Sequence, residues 1–297
     1  MHKFLRSIGF SDLKKDELEK LFEQIIKCPT VRKVATDSEG NEFAEISKEF
    51  GEFFGISVRG IYREDDTFEI EYYYPYLCGK MISTREPAEV EKHAEKESYA
   101  GICDDIKVGV SLIFYLQNMV PYKRMKTLKR LPVKGTSLVI SGLSVSGTIM
   151  MPIIKNEQEK RKIKKASNER NQLLAQARMG NEEAIESLTL DDMDTYTTIS
   201  RKIQKEDVFS LVDTYFMPYG VECDQYSILG EIVECRQEQN RITKEEIVFM
   251  TIECNELTFD VCINKEDLFG EPAVGRRFKG TVWLQGFINF PVSSGMM

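Results

Sequence analysis

The sequence predicts an α+β fold: an N-terminal, mostly antiparallel sheet with helices, a helical connector, and a C-terminal small β-barrel, OB-like (oligonucleotide/oligosaccharide-binding) in type. Three observations carry this. Apolar residues recur at helical spacing near the N-terminus and in the middle of the chain, they alternate with a period of two in most other segments, and no regular strand-helix-strand succession demands parallel pairing. The 297 residues, 42% hydrophobic and 30% charged, suit a folded chain of one to three domains. The pattern divides them into 1–154, 155–219 and 220–297.

The first helix is expected over Asp12–Ile26, where Leu18, Leu21, Phe22, Ile25 and Ile26 share a face, Ser11 suits an N-cap and Pro29 a stop. From Glu42 to Tyr76 short alternating runs read as a hairpin or meander, with Ile56, Val58 and Tyr62 leading through a Glu64-Asp65-Asp66-Thr67 turn into the tyrosine-rich run ending at Tyr76. Gly101–Asn118 and Thr136–Ile154 add strands to the same domain. The 20 residues Gly135–Ile154 carry no charge, which is the length of a membrane span. Leu143, Val145, Gly147 and Ile149 nevertheless alternate with Ser144, Ser146 and Thr148, as a strand with one buried face requires. No membrane partner is expected.

Strong helix formers run from Lys155 to Gly180, a natural C-terminal cap, and a second helical stretch follows at once. Val208, Leu211, Val212, Tyr215 and Phe216 fall on one face of a third, ended by Pro218. Beyond it, strands are expected at Ser227–Cys235, Ile247–Cys254, Leu257–Ile263 and Arg277–Asn289, with a helical turn around 264–270 and with Gly280 and Gly286 marking bulges or coiling. Short coiled strands with a small helix before the last suit a small closed barrel.

Forty Lys+Arg against 48 Asp+Glu give a net charge of −8, which disfavours a polyanion at long range. The charge is uneven: residues 120–170 hold 13 basic and 3 acidic residues between two acidic flanks. Such a middle either neutralises its flanks in the folded chain or forms a polyanion-binding face. Seven cysteines, an odd number with no Cys-x-x-Cys, point to free thiols in a reducing compartment, and the charged N-terminus lacks a signal-peptide core. A cytoplasmic location is expected.

No catalytic motif survives inspection. Gly142–Gly147 and Gly270–Gly275 have the glycine spacing of a phosphate loop, but the first lacks the following Lys and the second both Lys and hydroxyl, and dinucleotide, nucleophile-elbow and zinc-protease signatures do not occur. There are two histidines, which removes most imidazole-based schemes. His93 with Glu89 and Glu97 would share a helix face able to hold a divalent cation, but that spacing ordinarily marks a solvated surface. Asp191, Asp192 and Asp194 suit a helix start, and Glu64, Asp65 and Asp66 a turn. No catalytic residue, metal or cofactor is therefore expected.

The candidate binding residues are of two kinds. Tyr122, Lys123, Arg124, Lys126, Lys129 and Arg130 put cations beside a tyrosine, as phosphate contacts require, and Arg276, Arg277, Lys279 and Trp283 could form a second such patch on the barrel. Trp283, the sole tryptophan, is read first as core or interface packing. Tyr72 and Tyr74, in a run that also holds Tyr73 and Tyr76, would place rings on a strand face where a protein partner could dock.

The segments MHKFLRSIGF, GVSLIFYLQN, EDVFSLVDTYFMPYGVECDQYSILGEI and GRRFKGTVWLQGFINF resemble an uncharacterised bacterial domain-of-unknown-function family of anaerobic Gram-positive organisms. The resemblance spans nearly the whole chain and implies a cytoplasmic bacterial protein, with no activity, catalytic residue or cofactor to carry over. The expectation is a non-catalytic binding or regulatory protein with an unidentified protein partner. The alternatives are a nucleic-acid-binding protein using residues 122–134 and the barrel, and a metal-dependent enzyme acting on phosphate or sugar substrates.

Overall fold

The structure is a computed structural model that describes residues 1–36, 42–63, 67–92, 98–105, 108–127, 135–153, 157–202, 212–221 and 223–290. Alternating runs near the N-terminus build an antiparallel meander of β1 (Val31–Thr36), β2 (Glu42–Glu49), β3 (Phe54–Tyr62) and β4 (Phe68–Leu77). Helix α1 (Lys15–Lys27) buries Leu18, Leu21, Phe22 and Ile25 against the face of this sheet that carries Ala44, Ile46, Ile56 and Val58. It starts three residues later than the sequence predicts. The Ser11 hydroxyl donates to Glu245 at 2.6 Å instead of capping, and the backbone N–H of Lys14 donates to Glu17 at 2.8 Å.

The remaining strands form one ten-stranded sheet, comprising β5 (Ala88–Lys92), β6 (Tyr99–Cys103), β7 (Leu112–Leu116), β8 (Ser137–Met150), β9 (Tyr215–Pro218), β10 (Gln225–Gln239), β11 (Glu246–Cys254), β12 (Leu257–Asn264), β13 (Leu268–Phe269) and β14 (Arg277–Asn289). Within it β8, β12, β11, β10 and β14 close on themselves as a five-stranded barrel. The meander β10-β11-β12 pairs through β12 in parallel with β8, and β14 closes the ring antiparallel to both β8 and β10. A single 3-10 turn at Lys265–Asp267 precedes the last barrel strand, as expected, and the register shifts between Gly280 and Val282. Strands β5 to β7 extend the sheet from β14 through the Gln285–Tyr115 pairing. The inward residues Ile228, Ile232, Val248, Ile252, Phe259, Val261, Phe278 and Val282 fill the core.

Three expectations need correction. Ser137–Met150, read with the N-terminal sheet, is a barrel strand, because its partners lie more than a hundred residues further along the chain. Tyr215–Pro218, read as a helix, is β9 on the edge of β10, where Phe216 is buried with its ring 4.7 Å from Tyr226. Of the helix read there, residues 203–211 lie outside the described residues. Glu89 lies in β5, so the helical face proposed for Glu89, His93 and Glu97 is not formed at its first member; His93 and Glu97, like Glu64, Asp65 and Asp66, lie outside the described residues.

Three further helices complete the chain: α2 (Met119–Thr127), α3 (Glu157–Arg178) and α4 (Glu182–Lys202). The link from α3 to α4 turns at Gly180, whose φ of 83° is the left-handed conformation that favours glycine, and the Asn181 side chain caps α4 by accepting from the N–H of Ala184 at 3.1 Å. Asp191 and Asp192 lie in the middle of α4, not at its start.

Candidate functional site

The tyrosine run is covered on both faces. Tyr73 lies 4.7 Å from Phe22 of α1, and its hydroxyl accepts from the backbone N–H of His2. Tyr72 and Tyr74 point the other way, where Tyr74 is fully buried and its ring lies 4.6 Å from Tyr115 of β7. Burial pushes the Tyr72 hydroxyl up to about 12 against the opposing Arg59 charge. Of the face expected to be open to a partner, Tyr74 is therefore interior and Tyr72 half-buried.

At its centre is a residue that sequence reasoning missed. Arg59 on β3 is 1% exposed and forms an ion pair with Glu45 on β2 at 2.7 Å. Its guanidinium also donates to the hydroxyls of Tyr115 (2.6 Å) and Tyr74 (3.2 Å) and to the carbonyls of Leu116 and Gln117 (3.3 Å each). Burial disfavours its charge, but Tyr115, Tyr74 and Glu45 outweigh that and raise its pKa. With its donors occupied, Arg59 fastens the first sheet to the barrel sheet and offers nothing to a ligand. The only local signal was an arginine at an inward position of an alternating strand.

Several of the basic candidates are also committed to the protein's own groups. Tyr122 and Lys123 are buried on α2, where the Lys123 ammonium sits 4.9 Å from the Phe43 ring centroid and 5.8 Å from that of Tyr99. Arg124 donates to the carbonyl of Val34 at 2.7 Å, joining α2 to β1, while Lys126 is exposed. Lys129 and Arg130 lie outside the described residues. On the barrel, Arg276 donates to the carbonyl of Glu271 at 2.7 Å and Lys279 is half-buried. Trp283 is buried beneath Phe4, its ring 5.3 Å away, and its indole N–H donates to Asp224 at 2.6 Å.

Arg277 is buried and ties two distant points of the chain together. It donates to the carbonyl of Met151 at 3.1 Å and to that of Val212 at 2.9 Å. Met151, ahead of α3, and Val212, beyond α4, are thus held at one guanidinium. Between them α3 and α4 pack chiefly on each other, burying Ala184 and Leu188, with Arg170 paired to Asp192 at 2.9 Å. The Ser167 hydroxyl bonds Glu256 in the β11-β12 turn. On this arm Ile185, Leu190 and Met193 of α4 are 47%, 58% and 63% exposed, and Met179 at the tip is 88% exposed.

Two concavities among the described residues bear on function. One, of about 50 Å³, lies where the first sheet meets the barrel, between Phe53, Cys78, Lys80, Cys235, Arg236 and Asp260. That is far below the roughly 300–1,000 Å³ of a metabolite pocket. Asp260 is already bonded to Thr251 and to the backbone N–H of Lys80, and although Cys78 reaches the surface, burial of its thiol, reinforced by Glu49, pushes its pKa up to about 11. The thiolate needed of a nucleophile or metal ligand is scarce there. The second is an open groove of about 450 Å³ beside α1, lined by Phe10, Leu13, Leu21 and Ile242, whose Glu245 carboxylate is held by Ser11 and Asn264. Among the described residues no three His, Cys, Asp or Glu side chains converge as a metal site, and no helix is long and apolar enough to cross a membrane.

Fold and site together define a mixed α+β protein, mostly β, in which a closed five-stranded barrel carries a helical arm. The chain belongs to the family described as "Domain of unknown function, E. rectale Gene description (DUF3881)", whose model matches residues 5–286. No curated protein and no solved structure gives a significant match.

Proposed function

We propose that this chain is a non-catalytic binding protein of the cytoplasm that contacts a protein partner through the helical arm formed by α3 and α4. The observation that carries the reading is the exposure of three apolar side chains of α4, Ile185, Leu190 and Met193, on a helical pair flanked by Met151 and Val212, whose carbonyls both accept from Arg277. The small junction cavity and the commitment of Arg59, Lys123 and Arg277 to internal contacts speak against a catalytic site or a phosphate-binding face at those positions. Seven free thiols support a reducing compartment.

The test places a photo-crosslinking residue at Leu190, at Met193 and, as a control, at Val274, which is exposed on the barrel, in the cells that make the protein. Protein adducts from the two arm positions and none from the control are expected. Absence of adducts at Leu190 and Met193 would overturn the proposal. So would tight binding of labelled RNA or DNA by the purified chain that weakens steeply from about 50 to 300 mM salt.

A further inference from the structure

We propose that the groove beside α1 is a docking site for a segment of a partner protein that presents apolar side chains between lysines or arginines. The groove shares no residue with α3 and α4, so it stands apart from the contact proposed for the arm.

One wall is a single face of α1, where Glu17, Lys20, Leu21 and Gln24 follow one another at helical spacing. The other is the turn 240–245 between β10 and β11, which carries Ile242. Phe10, Asp12 and Leu13 belong to the link between the N-terminal 3-10 turn and α1. Turn and link are fastened to each other. The Asn240 amide donates to the carbonyl of Ile8 at 2.8 Å, the Thr243 hydroxyl to that of Gly9 at 2.6 Å, and the Ser11 hydroxyl to Glu245. A concavity held by its own hydrogen bonds loses little affinity to ordering when a ligand arrives.

Apolar and acidic residues line it together. Phe10 and Leu21 are buried, Leu13 is half-buried and Ile242 is 47% exposed. Beside them stand Asp12, Glu17 and Glu245. The Glu17 carboxylate accepts from the backbone N–H of Lys14 at 2.8 Å, and that of Glu245 accepts from the backbone N–H of Ser11 at 3.2 Å and from the Asn264 amide at 2.6 Å. Every one of these donors is neutral, so the carboxylates are aimed without losing their charge. Among the described residues none of the three acids is ion-paired, whereas Glu246 is paired with Lys265 and Asp267 with Arg6, each at 2.5 Å. Lys20 is the one cation among the described residues that line the groove.

Unpaired carboxylates around an apolar surface select a partner of opposite charge, and the apolar contact supplies affinity. The volume of about 450 Å³ and the open side suit a few residues of a passing chain. A second copy offering its arm does not fit, because Ile185 and Leu190 stand among the exposed Glu182, Glu183, Glu186 and Asp191 and would bring acid onto acid.

The test is fluorescence anisotropy of a labelled peptide of alternating leucine and lysine, about eight residues long, titrated with the full-length chain at about 100 mM salt. Half-saturation is expected at about 10–100 µM. The same peptide with glutamate for lysine, and that with serine for leucine, should each bind at least about tenfold more weakly. Ile242→Ser and Asp12→Lys, both at exposed positions, should each weaken the leucine-lysine peptide about fivefold. Glu91→Lys, exposed on β5, makes the same change in net charge outside the groove and should leave binding within about twofold.

No binding up to about 1 mM, equal binding of the glutamate peptide, or indifference to Ile242→Ser would each overturn the proposal. So would a loss on Glu91→Lys as large as that on Asp12→Lys, since the attraction would then belong to the acidic chain as a whole. Self-association of the purified chain that Ile242→Ser abolishes would make a second copy the occupant and overturn it too. None of these results bears on crosslinks from Leu190 and Met193, so the groove and the arm stand or fall separately.

Discussion

Replacing Arg59 with methionine keeps most of the side chain's volume and removes its charge. Glu45, 3% exposed, then loses its partner at 2.7 Å, and the other cation near it is Lys33 at 3.8 Å, whose side chain is 38% exposed. Breaking one half of a buried pair costs about 3–5 kcal/mol, and the carbonyls of Leu116 and Gln117 and the Tyr115 hydroxyl each forfeit a donor worth about 1 kcal/mol. The expected loss is at least 4 kcal/mol from a total that for a domain is about 5–15 kcal/mol. The assay is urea unfolding followed by fluorescence of Trp283, whose ring lies 5.3 Å from Tyr115 and so reports on the junction. Glu45→Leu alone strands the cation at a similar cost, whereas the double variant Arg59→Met/Glu45→Leu should recover at least about 2 kcal/mol of the summed losses, because neither charge is left buried alone. A loss below about 1 kcal/mol for Arg59→Met, or strictly additive losses in the cycle, would refute the argument that this ion pair holds the two sheets together.

Three other perturbations have defined outcomes. Burial beneath its neighbours, reinforced by the nearby charge of Lys3, lowers His2 from 6.5 to about 4. The unfolded chain therefore binds the extra proton first, and stability should fall as pH drops from about 6.5 to 4, by up to about 3 kcal/mol; His2→Phe should abolish that part of the pH profile, and an unchanged profile would contradict it. Lys123→Glu puts a carboxylate between the Phe43 and Tyr99 rings and should cost at least about 2 kcal/mol in thermal unfolding, while Lys126→Glu, at an exposed position, should stay within about 0.5 kcal/mol. At the bulge between Arg59 and Gly60, a Cβ on Gly60 would stand 1.9 Å from the Glu69 carbonyl oxygen, so Gly60→Ala should lower the urea midpoint, and an unshifted midpoint would mean that β3 and β4 separate freely there.

Elements whose pattern is local were legible in the sequence. The last barrel strand occupies the expected Arg277–Asn289, and α1 buries the leucines and phenylalanine predicted to face inward. What the pattern did not carry was pairing between distant segments. Ser137–Met150 alternates equally well for either sheet, and its neighbours are decided by β12 and β14. Tyr215 to Pro218 was ambiguous because one turn of helix and one short strand place Phe216 inward alike. The site was less legible because arginine and lysine serve a phosphate or a backbone carbonyl with the same donors. Arg277 and Arg124 serve carbonyls, and only the folded chain brings Met151, Val212 and Val34 within their reach. The second helical stretch was visible, but which of its apolar residues face α3 and which face outward depends on the packing of the pair.

The barrel's closing seam also has a consequence for synthesis. Ser137 pairs with Asn289, 152 residues later, so at about 5–20 residues per second a ribosome takes roughly 8–30 s to supply the second half of that seam after the first has been made. Until β12 is made β8 lacks both barrel neighbours, and until β14 is made the edge that β14 covers stays unpaired and available to any passing chain. A ribosome stalled within β14 would release a polypeptide already carrying its complete arm but no closed barrel, and such products should be substrates for chaperones and proteases.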